Sequence, residues 1–324
     1  MSAPTAERPA SVGDIGSTPK KGARAARMPR PARASRAPRA PRLPRDQPQG
    51  TPALISTTFT MLAIVCLWTA AQMLVFSGVS HDRAQALLYR DFRVQLADTT
   101  APLGPIVPAG DPMAIIGIPA IGVDEVVVEG TASGDTLVGP GHRRDSPLPG
   151  QEGVSLVYGR AATYGAPFRR ITELQPGDAI NLTTSQGEKT LRVVGVRHEG
   201  DPLLSAPPAG VTRITLTTAE GSGPLAGLTA NSAVFVDAEA SGAFPTPSGR
   251  PTAVPDSEKV MAKDSGALPL LALCLALLLA LTLGVVAARQ RWSAPLVWVL
   301  ASPLALALAW MTTDTVMRLL PTVI

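Results

Sequence analysis

Sulfur and charge are both scarce in this chain. Only two of its 324 residues are cysteine, Cys66 and Cys274, too few for a disulfide scaffold or a Cys-rich metal site. Charged residues make up 17 %, against about 25 % in an ordinary soluble domain. Histidine occurs three times, as His81, His142 and His198, and no zinc, P-loop or dinucleotide signature is present. No cofactor and no metal ion are expected. What is abundant is apolar. Hydrophobic residues reach 45 %, which excludes global disorder even though Gly and Pro together form about a fifth of the chain.

The net charge of +4 conceals an asymmetry. Residues 1–50 hold eleven Lys/Arg and three Asp/Glu, with an arginine at every third position from Arg24 to Arg45. Almost no large apolar side chain interrupts them, so this segment is expected to be a disordered, basic cytoplasmic tail. It either sets membrane topology or lies on anionic headgroups, at about 1 kcal/mol per basic residue. No aromatic side chain interleaves the arginines, so a nucleic-acid partner is not expected. Residues 53–76 carry no formal charge and exceed the roughly 20 residues that cross a bilayer. Residues 266–288 and 294–313 form two further spans around a loop containing Arg289 and Arg291. The positive-inside rule then gives a plasma-membrane protein with three transmembrane helices. Its N-terminus is cytoplasmic, its C-terminus and the segment between the first two spans are extracytoplasmic, and the lipid bilayer is one partner. Asp314 and Arg318, four residues apart at the outer end of the third span, read as snorkelling anchors.

Both cysteines fall inside these spans, so the extracytoplasmic segment carries no thiol. Residues 79–110 read as a stalk helix, with Leu88, Phe92 and Leu96 at four-residue spacing, followed by a linker. Residues 241–264 form a second linker rich in Pro, Ser and Gly. Between them, residues 111–240 read as β throughout. Segments 113–118, 123–129, 154–158, 179–184, 189–197, 212–218 and 232–238 are short, rich in Val, Ile and Thr, and separated by Gly, Pro and Asp turns. A barrel or sandwich requires this pattern. Asp124, Glu125 and Glu129 are expected to face solvent from a strand rather than to hold calcium.

Four groups of residues follow one another along this segment. They are Ile118-Pro119 with Val126-Val127-Val128-Glu129-Gly130; Gly139-Pro140-Gly141-His142 with Leu148-Pro149-Gly150; Thr163-Tyr164-Gly165-Ala166-Pro167-Phe168 with Pro176-Gly177-Asp178; and Leu216-Thr217-Thr218. In this order and spacing the domain resembles a sortase, the membrane-anchored cysteine transpeptidase of Gram-positive cell surfaces, and specifically the class E branch. The resemblance implies an eight-stranded β-barrel with a substrate groove on one face. It also implies cleavage of an LPXTG-like sorting signal and transfer of the acyl group to a cell-wall amine. That chemistry needs a cysteine thiolate, a histidine to move the proton and an arginine for the oxyanion.

All three positions are substituted. Where the family has its histidine this chain has Arg160, where it has the cysteine Ala219, and where it has the arginine Ala233. Arginine stays protonated and does not shuttle a proton. The resemblance therefore points to a degenerate member, a pseudosortase that keeps the groove for binding or scaffolding at the cell envelope. Its expected partners are a sorting-signal peptide, a surface protein or an active sortase. The groove candidates are Arg160, Thr163, Tyr164, Thr217, Thr218 and Glu220. The alternative is a working transpeptidase or hydrolase with a non-cysteine nucleophile among Thr217, Thr218 and Ser222, with Glu220 as the nearest base. A purely structural membrane protein is the third reading. Arg160 and Glu220 are expected to approach across the groove and plug it as an ion pair worth about 0–1 kcal/mol. His142 reads as structural and His198 as a surface residue.

Overall fold

The computed structural model describes the chain from Ala63 onward, apart from residues 64–65, 69, 105, 222–229, 231 and 290. The basic tail, most of the first expected span and Ser222 lie outside the described residues. A single π-helical turn, Gln72–Phe76, runs without a break into helix α1, Ser77–Ala97. The helix therefore starts earlier than the four-residue spacing suggests, because its first turns continue a helix already formed. Phe92 is fully buried. Gln85 anchors the same helix to the barrel. Its Oε1 accepts from Val126 N at 2.7 Å, and its Nε2 donates to Val138 O at 2.7 Å and Val126 O at 3.2 Å.

Eight strands follow: β1 Pro112–Ile118, β2 Val123–Glu129, β3 Gly141–His142, β4 Gly153–Tyr158, β5 Ala179–Thr184, β6 Gly187–His198, β7 Val211–Glu220 and β8 Ser232–Ser241. They close a barrel in the order β1-β2-β3-β4-β7-β8-β6-β5. The β2–β3 and β4–β7 pairings are parallel and the others antiparallel. Period-two alternation sends Ile116, Ile118, Val127, Val157, Ile214, Leu216, Val234 and Val236 into one core. Strand β3, two residues long, carries no alternation and was not expected as a strand. It is fixed instead by close packing, since a Cβ on Gly141 would strike the carbonyl oxygen of Gly130. Glycine is the residue that permits that approach.

Among the described residues, two segments are long and apolar enough to cross a membrane, Ser265–Val285 and Pro295–Met317. They lie in helices α2, Leu268–Arg289, and α3, Ala294–Met317. The third helix runs past the expected end of its span and docks on the barrel. The Tyr164 hydroxyl donates to Asp314 Oδ1 at 2.8 Å, so Asp314 is engaged by the barrel rather than by Arg318. Trp68 Nε1 donates to Thr313 Oγ1 at 3.0 Å, and the Phe76 and Trp310 rings lie 5.8 Å apart.

Two sequence expectations are corrected here. Residues 241–264 are no free linker but a strap along the barrel. Gln151 bridges to Phe244, Thr131 Oγ1 donates to Glu258 O at 2.7 Å, and Glu258 pairs with Arg144 at 2.5 Å. Glu125 and Glu129 do not face open solvent. Glu125 accepts from His81 Nε2 at 3.0 Å, and buried Glu129 lies 2.8 Å from His142 Nδ1. His142 Nε2 meets Pro147 O at 2.8 Å, which places that histidine in the framework.

Gln85→Ala removes the three bonds that this side chain makes from α1 to the barrel and leaves backbone groups unpaired. It should lower stability by about 1–3 kcal/mol, read as a drop in melting temperature, while Gln95→Ala should change little.

Candidate functional site

Strand register builds the site. Parallel pairing of β4 with β7 sets Tyr158 beside Thr217, and antiparallel pairing of β7 with β8 sets Ala219 opposite Ala233. The turn that leaves β4 as Gly159-Arg160 therefore opens at the end of the barrel that holds both alanines. Gly159 is tight because a Cβ there would enter the Phe168 ring. Tyr164 and Ala166 sit at φ 49° and 46°, a left-handed conformation that costs a non-glycine residue on the order of 1 kcal/mol. This bend turns Thr163 and Tyr164 back toward Arg160.

Arg160 is fully buried. Its five N–H groups all have acceptors: Nε donates to Thr136 O at 3.2 Å, and Nη2 to Ser133 O at 2.9 Å and Ser133 Oγ at 2.8 Å. Nη1 donates to Thr163 Oγ1 and to Ile324 O, each at 3.0 Å. Five donors exhaust the guanidinium fork. Four of the five acceptors are neutral carbonyl or hydroxyl oxygens and the fifth is the main-chain oxygen of Ile324, and among the described residues no Asp or Glu side chain lies within ion-pair distance. Burial accordingly pushes the Arg160 pKa down to about 10, partly offset by Tyr164 and Asp314, and the group stays a cation at neutral pH. Its carbon Cζ lies 5.6 Å from the centre of the Tyr164 ring. Burial, with the charge of Asp314, holds the Tyr164 phenol above its ordinary range, so it remains a donor.

The expected Arg160–Glu220 pair does not form. Glu220 Oε2 meets His198 Nδ1 at 2.7 Å on a partly exposed surface. Successive strand residues face opposite ways, so Glu220 and Thr218 lie on the other face from Ala219. The Thr218 hydroxyl donates to Gly159 O at 2.8 Å, which makes it a framework contact rather than a groove residue. Thr217 does share the face of Ala219. It is buried, and its hydroxyl has no partner among the described residues.

What fills the space in front of the alanines is the chain's own segment after α3. Thr322, Val323 and Ile324 are buried, and the last two cluster with Tyr158, Ala161, Ala219 and Ala230. Four contacts seat this segment through its backbone carbonyls. Thr136 Oγ1 donates to Thr322 O at 2.7 Å and Ala161 N to Val323 O at 3.0 Å. Ile324 O accepts from Arg160 and, at 2.6 Å, from Thr163 Oγ1. Val260 and Met261 of the strap pack against the same cluster, and Thr322 N donates to Ala262 O at 3.0 Å. Sequence reading missed Ser133, Thr136 and this segment. The one local signal, Pro321 after a helix, marks a stop and not a destination.

On the same strand face the site continues into a cavity of about 420 Å³ lined by Leu156, Thr215, Asp237, Arg197 and Phe235, with Leu203 and Leu204 at its rim. Asp237 is buried there, accepting from Thr215 Oγ1 at 2.6 Å and Arg197 Nε at 2.5 Å. The floor is thus polar but internally paired.

The closed eight-stranded barrel has the fold of a sortase domain. Residues 116–231 match the family model described as the sortase domain. Over 85 residues the chain is 38 % identical to Sortase D of Bacillus subtilis (strain 168), covering 26 % of this chain and 41 % of that protein, so it spans about two fifths of the relative's length. Among solved structures it is similar to a Clostridium perfringens Sortase D5 transpeptidase, at 21 % identity and TM-score 0.39 over 49 % of this chain and 96 % of that one. It is also similar to SrtF sortase from Corynebacterium diphtheriae, at 21 % identity and TM-score 0.36, over 48 % and 98 % of the two chains. The family likeness lies in the barrel, within residues 116–231.

Two outcomes test the site's construction. Arg160→Lys offers three donors to five acceptors and should cost about 2–4 kcal/mol in stability, seen by thermal melting. Alkaline pH separates the two buried groups by sign. The unfolded chain keeps the arginine proton to higher pH than the folded one, so Arg160 adds stability as pH rises above about 10. The Tyr164 phenol ionises first in the unfolded chain and subtracts stability over the same range. Tyr164→Phe should therefore flatten the alkaline fall in melting temperature, and an unchanged slope would count against the assigned environment.

Proposed function

We propose that this chain is a membrane-anchored, non-catalytic sortase-domain protein that binds peptide or protein at the cell envelope. The observation that carries the reading is Arg160. In the proton shuttle's place stands a guanidinium with every donor engaged and a pKa far above neutrality, and Ala219 and Ala233 supply neither nucleophile nor oxyanion donor. The partners we assign are a sorting-signal peptide, a surface protein or an active sortase. The assignment to a class E-like branch rests on the motif order around Thr163–Phe168 and Leu216–Thr218. The three-span topology, with the barrel and the residues after α3 outside a Gram-positive plasma membrane, rests on the charge-free segment 53–76 and the Arg289/Arg291 loop.

The competing idea of a hydroxyl nucleophile draws little support. Thr218 donates its hydroxyl proton to Gly159 O, Thr217 has no base within hydrogen-bond reach among the described residues, and Glu220 faces His198.

The test is incubation of the full chain, reconstituted in lipid nanodiscs, with an LPXTG-containing peptide and a glycine amine, followed by mass spectrometry. The expected result is bound, intact peptide with no acyl adduct. An acyl-enzyme on Thr217 would overturn the assignment.

A further inference from the structure

We infer that the Arg160 pocket is a peptide-end receptor and that Pro321–Ile324 is its tethered occupant, exchangeable with a peptide of like chemistry supplied in trans. The inference rests on the peptide-binding reading above and adds what fills the groove and what must leave it. Segment Pro321–Ile324 sits as a ligand sits. Its Val323 and Ile324 side chains enter the apolar cluster against Ala219 and Ala161, while three successive carbonyls are read by Thr136, Ala161, Arg160 and Thr163. These donors all come from the turns at one end of the barrel and none from the segment itself.

Withdrawal has a defined consequence. Arg160 Nη1 loses one acceptor and Thr163 Oγ1 loses its partner at Ile324 O. A buried cation left short of an acceptor is costly, so another oxygen must take that place. The remaining four acceptors are neutral, and among the described residues no Asp or Glu side chain is in contact. The ligand class that satisfies the pocket best is therefore an extended peptide with small aliphatic side chains whose final carboxylate stands where Ile324 O stands. The tether is short. Asp314 and Met317 of α3 are themselves held by Tyr164 and Ser133, so displacement of the α3 end from the barrel is what would release the pocket.

The experiment uses the full chain in nanodiscs, a version ending at Leu320, and Val323→Ser, which loosens the seat without shortening the chain. All carry Cys66→Ala and Cys274→Ala with Ala219→Cys as a reporter. The probe is the peptide Leu-Leu-Pro-Thr-Val-Ile, as free acid and as C-terminal amide. The full chain should bind the acid about tenfold more weakly than the shortened chain. Maleimide labelling of Ala219→Cys should be slow in the full chain, about tenfold faster in both variants, and slowed again by the peptide. The acid should bind about tenfold tighter than the amide, as a charge-assisted bond requires. Equal labelling and equal binding with and without 321–324 would overturn the inference, as would a folded shortened chain that ignores the peptide. Binding of this peptide but of no LPXTG peptide would sustain the inference while removing that ligand from the proposed function. LPXTG binding indifferent to 321–324 would do the reverse. Should the shortened chain fail to fold, Val323→Ser decides the matter through the same two readouts.

Discussion

A fully buried guanidinium, in contact with no Asp or Glu side chain among the described residues, holds one end of this barrel together. Arg160 reaches Ser133 and Thr136 on the turn after β2, Thr163 on its own turn, and Ile324 beyond α3. A buried charge is tolerable when every donor is matched, and here each of five is. Two segments far from its own turn in sequence, residues 133–136 and Ile324, thereby converge on one side chain. The left-handed turn at Tyr164 and Ala166 and the docked end of α3 lie at that convergence.

Catalysis in this fold would require an open approach to a nucleophile flanked by a proton carrier. Ala219 on β7 and Ala233 on β8 lie side by side at this end of the barrel, with the buried Arg160 guanidinium on the neighbouring turn. The space is closed from two sides, by the strap through Val260 and Met261 and by Val323 and Ile324. Beyond this closure the strand face stays open as a cavity above Thr215 and Asp237. The outcome is a groove with one end sealed by the chain itself.

The strands were legible in the sequence because period-two alternation and Gly/Pro punctuation are local signals. Seven segments rich in Val, Ile and Thr correspond to seven of the eight strands. Strand β3 escaped because two residues carry no period, and its position depends on Gly141 meeting Gly130. Ala219 and Ala233 were each picked out through the family resemblance, and β7–β8 register places them side by side. The side-chain partners were not legible. Sequence spacing suggested Glu220 for Arg160, yet one step along a strand turns a residue to the opposite face, and Glu220 went to His198. The true acceptors are mostly carbonyls, which no residue identity announces. The roles of Ser133, Thr136 and Ile324 depend on a closure that spans nearly the whole described chain.

The closure makes one amide diagnostic. Ala161 N–H donates to Val323 O at 3.0 Å, a bond that exists only while the segment after α3 is seated against Arg160. Hydrogen exchange at Ala161 in the chain reconstituted in lipid nanodiscs is the direct measurement. Protection comparable to that of the β7 amides is the result this account predicts. Exchange as fast as that of an exposed loop such as 199–204 would contradict it.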